Sequence, residues 1–84
     1  MQESDFYEVS EEFINFANDL SEEWAQPFLS AVFMYSAARF NAHNFFLTDG
    51  DRTKEAQAIE FYTLQYRKML EENIKELRPS EAAA

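Results

Sequence analysis

Apolar positions along the chain fall into three runs, and the spacing within each is helical. In the first, Phe6, Val9, Phe13, Phe16, Ala17 and Leu20 recur three or four residues apart, which puts them on one face of a helix with 3.6 residues per turn. Asp5 followed by Glu8 has capping-box spacing, in which side-chain oxygens accept from the first unpaired amides. The spacing predicts a first helix over roughly 6–20. Ser21 to Gln26 is mostly polar but carries Trp24, and it predicts a connection; Pro27 fits the first turn of a second helix, where its missing N–H is not needed.

From Pro27 to Leu47 the apolar side chains cover most of the helical wheel, including Phe28, Leu29, Val32, Phe33, Tyr35, Phe40, Phe45 and Phe46. A helix apolar on nearly every side is normally central, so this second helix, over 27–47, is expected to be enclosed by its neighbours. Thr48-Asp49-Gly50-Asp51 predicts a tight turn, with Gly50 at positive φ and Asp51 as cap. A third helix then runs over roughly 52–77 on the stripe Ala56, Ile59, Tyr62, Tyr66, Met69, Leu70, Ile74 and Leu77, with Glu71 and Lys75 as an i, i+4 pair. Pro79 stops it, and 79–84 reads as a frayed tail.

These elements predict an all-α fold: one domain over 1–84, built as a three-helix antiparallel bundle. The turn at Gly50 makes the second and third helices antiparallel neighbours, and residue i then lies near about 99 minus i. Arg39 falls near Glu60 in that register. The two are expected to pair, because a charge among aromatic rings is costly without a partner.

Composition strains this picture. Of the 84 residues 46% are hydrophobic and 17% aromatic, among them nine Phe and four Tyr, while a chain this short buries only about 60% of its unfolded surface. Three helices cannot cover so many rings, so association through aromatic faces, most simply as a twofold homodimer burying the exposed aromatic side of the second and third helices, is expected. The net charge is −9, and residues 1 to 38 hold eight acids and no Lys or Arg. Such a surface repels phosphate backbones and anionic lipid, which argues against direct nucleic-acid or membrane binding. Its plain reading is a solvated face, and its sharper one a surface for a basic protein partner. The chain has no cysteine and no apolar N-terminal run, which fits a cytoplasmic protein without disulfides.

Little in the chain points to catalysis. His43 is the single histidine and has no Glu-x-x-His companion, so neither a metal site nor a general base is predicted, and no cofactor is expected. Ser36, Arg39 and His43 share one stripe of the second helix at i, i+3 and i+7. That stripe is either a polar pocket for a small anion or, more plainly, a hydrogen-bonded network between helices. Tyr35, Tyr62 and Tyr66 read as core rings with a polar tip at the edge, and Met34 and Met69 as filler for irregular gaps. Trp24 either covers the open end of the bundle or anchors a partner.

Three blocks carry a family resemblance. They are Phe6-Tyr7-Glu8 leading to Phe13-Ile14-Asn15-Phe16-Ala17-Asn18, then Ser30 through Ala42 with its Ala37-Ala38-Arg39-Phe40-Asn41-Ala42 core, and Tyr66-Arg67-Lys68-Met69-Leu70-Glu71-Glu72-Asn73. Together they resemble the bacterial family catalogued as domain of unknown function 3144. The resemblance implies a helical, cytoplasmic, proteobacterial protein and supplies no substrate or catalytic residue. The functional expectation is therefore a self-associating interaction module. Its alternative is a small-ligand or anion binder using the Ser36, Arg39 and His43 stripe.

Overall fold

The computed structural model describes residues 3–79, which form three α-helices and, among the described residues, no strand. The all-α, three-helix architecture is the expected one. Helix α1 spans Glu3–Leu20 and begins earlier than the capping-box spacing implies, so Asp5 lies inside the first turn rather than at the cap. Glu3 and Asp5 there still oppose the partial positive charge of the helix N-terminus. The end of α1 is closed by the Ser21 amide donating to the Ala17 carbonyl at 3.0 Å and the Trp24 amide donating to the Leu20 carbonyl at 3.0 Å.

Helix α2 spans Gln26–Thr48, with Pro27 in its first turn as its fixed φ requires. It ends where the amides of Asp49 and Gly50 both donate to the Phe45 carbonyl at 2.9 Å. Gly50 has a φ of 68°, a left-handed conformation that other residues adopt only at a cost. Asp51 is a cap, as its position predicts, but what it caps is a 3₁₀ turn, Arg52–Lys54, which feeds α3 over Glu55–Leu77. Its carboxylate accepts from the Thr53 amide at 2.9 Å and from the Thr53 hydroxyl at 2.8 Å. The chain has left the helix by Arg78, before Pro79, and Ser80 to Ala84, most of the expected frayed tail, lie outside the described residues.

Those two hydrogen bonds hold the Asp51 carboxyl below its ordinary value of 3.8, with the Thr53 amide as the main cause. A depressed folded-state value means that the cap stabilises the fold at neutral pH and that this contribution fades as pH falls below about 4. Asp51→Asn keeps an oxygen acceptor that does not titrate. Thermal melts should therefore show wild type and variant drawing together between neutral pH and about pH 3; a constant gap would mean that the carboxylate has no part in the cap.

The chain divides after Phe40 into two units. In the first, Leu29 is buried at 7% exposure, and Ala17, Leu20 and Ser21, beside the turn, are half-buried. In the second, the half-buried residues are Asn41 and Phe45 on α2, Gly50 in the turn, and Ala58, Tyr62 and Gln65 on α3. The Asn44 amide donates to the Tyr62 hydroxyl at 3.4 Å, so α3 returns along the end of α2. The 99-minus-i register would pair Asn44 with a residue near Glu55, whereas its observed partner is Tyr62. Two causes act together: the 3₁₀ turn lengthens the connection, and a long helical side chain leans back toward its own N-terminus.

The enclosure expected of the second helix is not found. Every residue of α2 from Ser30 to Phe40 is exposed, Phe40 at 72%. Most of the first helix's stripe, Phe6, Val9, Phe13 and Phe16, is exposed as well. A helix of 23 residues is about 35 Å long, and in the first unit the covered positions are those next to the turn. The aromatic pairs are local too. Phe6 with Tyr7, Trp24 with Phe28, Phe45 with Phe46, and Phe61 with Tyr62 each lie within five residues of sequence.

Candidate functional site

The middle of α2 is where exposure and chemistry disagree most. Val32, Phe33, Met34, Tyr35 and Phe40 all face solvent, in a segment whose only charged side chain is Arg39. Met34, at 53% exposure, and Tyr35, at 65%, are surface groups and not the gap filler and core ring their types suggest. Tyr62 does fit that reading: its ring is half-buried and its hydroxyl accepts from Asn44. Removing that acceptor with Tyr62→Phe should cost about 0.5–1 kcal/mol in chemical denaturation, since the bond is long and the Asn44 amide can turn to water.

Ser36, Arg39 and His43 occupy α2 as one stripe, and all three are exposed. The hydrogen-bonded network between helices is therefore not formed by them, because the groups remain hydrated and need no protein partner. Glu60 is exposed on α3, like Arg39 on α2, so the desolvation that motivated their pairing does not operate in the single chain. Ion pairs among the described residues are local. Lys54 lies 3.5 Å from Asp49 across the turn, and Arg67 lies 3.7 Å from Glu71 at i, i+4 in place of the Glu71 and Lys75 pair. Both are solvent-exposed and contribute little stability.

Glu60 also lines an open groove along one side of α3, with Ala56, Ile59, Thr63, Leu64 and Arg67. One helix builds this groove, which offers an apolar floor flanked by one acid and one base. Trp24 sits in the turn after α1, with its ring 5.3 Å from that of Phe28 at an interplanar angle of 33°. At 51% exposure it both packs on α2 and presents a face to solvent. Among the described residues no group of three or more His, Cys, Asp or Glu is placed to hold a metal ion, and no helix is long and apolar enough to cross a membrane.

What these features define is an all-α protein with a helix whose apolar middle faces outward. The chain belongs to the family described as "protein of unknown function (DUF3144)", which matches residues 6–77. No curated protein matches the chain. No solved structure matches it either. The family match takes in all of α2 and α3 and most of α1, so the exposed segment lies within the shared region.

Proposed function

We propose that this protein is a self-associating interaction module that works by contact, with the exposed segment Ser30–Phe40 of α2 as the heart of its contact surface. The observation that carries the reading is the unbroken exposure of that segment, with Met34 at 53% and Tyr35 at 65%. Contiguous apolar surface of this kind marks association sites in soluble proteins. A second consideration is size. A chain of 84 residues, 46% of them hydrophobic, has a thin core for its apolar content, and small folds lean on a disulfide, a metal or association. With no cysteine in the chain, disulfides are not available.

Sedimentation velocity at tens of micromolar is expected to find a dimer, and the melting temperature is expected to rise with protein concentration, since association stabilises by mass action. A monomer with a concentration-independent melt would remove the reading. The rival is anion binding by Ser36, Arg39 and His43, favoured by Arg39 being the one charged side chain on α2 and making no ion pair among the described residues. It predicts instead a rise in melting temperature with inorganic phosphate that Arg39→Ala abolishes.

A further inference from the structure

We infer that the contact is an antiparallel pairing of α2 with α2 of a second copy, centred between Met34 and Tyr35; this rests on the self-association reading and specifies its geometry. Leu29 is the one buried side chain among the described residues of the first unit. At about 100° per residue, the positions on α2 turned away from it are Ala31, Met34, Tyr35 and Ala38. All four are exposed. Their order, small, large, large, small at i, i+3, i+4 and i+7, reads the same in both directions along the helix. A pattern of that kind is self-complementary about a twofold axis, which is the symmetry of an isologous dimer.

Three physical terms select the antiparallel direction over the parallel one. With the axis between Met34 and Tyr35, each Met34 meets Tyr35 of the partner subunit, giving two sulfur–aromatic contacts; a parallel pair would set Met against Met and Tyr against Tyr. Arg39 falls opposite Ser30 of the partner subunit, so the two guanidinium groups are offset along the axis by about 14 Å. In parallel register they would lie side by side with no acid on either α2. Finally, antiparallel packing sets each helix dipole against its opposite.

The area is sufficient. Phe28, Met34 and Tyr35 are each about half exposed or more. Together with Ala31, Ala38 and the Arg39 stem they expose about 500 Å² per copy, so a twofold contact that covers them fully buries about 1,000 Å², the lower bound for a specific interface. Charge also favours the arrangement. The unit ending at Phe40 carries eight acids and one base, and the unit starting at Asn41 carries eight acids and six bases. Antiparallel pairing keeps the α1-bearing end of one α2 away from the same strongly acidic end of the other.

Because the chain has no cysteine, single thiols can report the geometry in the full-length protein. Ala31→Cys and Ala38→Cys are prepared separately, and a short bis-maleimide is added to each alone and to their mixture. The expected result is covalent dimer in the mixture and little from either variant alone. Dimer from each variant alone would overturn the antiparallel direction while self-association stood. No cross-link from any sample, with a dimer in sedimentation, would move the interface elsewhere on the chain. No cross-link and a monomer would sink this inference and the self-association reading together. Tyr35→Glu places a carboxylate beside the axis in both copies and is expected to raise the dimer dissociation constant by about tenfold or more; circular dichroism on the same sample separates that loss from unfolding. An unchanged dissociation constant in a helical Tyr35→Glu protein would also overturn the pairing.

Discussion

Replacing Leu29 with Ala is expected to lower the unfolding free energy by about 3 kcal/mol, the usual cost of emptying a buried leucine site. Leu29 is the one side chain among the described residues that the fold buries, at 7% exposure. Its own amide donates to the Ala25 carbonyl at 3.0 Å, the first bond by which α2 leaves the turn. The residue is buried at the start of a helix, a few positions from the half-buried Leu20 and Ser21, and a protein of this size has only about 5 kcal/mol of stability to lose. Chemical denaturation at one fixed protein concentration measures the change, since dilution shifts an associating system. Leu47→Ala is the control: that side chain is 71% exposed, and its loss should cost under about 0.5 kcal/mol unless association covers it. Equal effects from the two would show that the Leu29 site is not the core.

Gly50→Ala is expected to cost about 1–2 kcal/mol, through the backbone and not through crowding. A Cβ at that position would sit 3.5 Å from the Phe46 ring and 3.5 Å from the Phe46 carbonyl oxygen, ordinary contact distances. The φ of 68° is what an alanine resists. Asn tolerates the left-handed region better, so Gly50→Asn should lose clearly less. An Asn variant as unstable as the Ala variant would place the cause in space instead of conformation. The turn matters because it sets how α3 returns beside Asn41 and Phe45, and with it the Asn44 to Tyr62 hydrogen bond.

Much of the local structure was legible in the residues themselves. Pro27 at the start of α2, Gly50 at positive φ and Asp51 as a cap are positions where one residue type is favoured by backbone chemistry alone. Such signals need no knowledge of neighbours. The 3₁₀ turn at Arg52–Lys54 was not legible, because those side chains are as compatible with an α-helix as with the tighter turn. Nor did periodicity place the seam on α3. The stripe from Ala56 to Leu77 marks where apolar groups lie, yet of its members only Tyr62 is half-buried, and the other covered positions on α3 are Ala58 and Gln65.

Met34 and Tyr35 could not be placed from the sequence for a related reason. Met34 and Tyr35 have the composition of a core, and composition cannot tell a side chain covered by its own chain from one awaiting another molecule. The symmetric spacing of Ala31, Met34, Tyr35 and Ala38 was present in the sequence and was the available signal. Its meaning depends on those positions being exposed, which only the tertiary structure decides. Ser36, Arg39, His43 and Glu60 stand out in the sequence as charges and polar groups set among aromatics. Their exposure removes the desolvation cost that would have forced them into partnerships.

Helices, breaks and the charge imbalance of the first half could all be read from the residues alone, because they rest on side-chain periodicity, proline and glycine geometry, and counting. The family could be read from the order of residues in the same way. Which apolar faces meet was visible only once the helices were set in space. Burial is non-local: whether a ring on α2 is covered depends on where a connection many residues away sends the next helix, and hydrophobic attraction has no direction of its own to specify that.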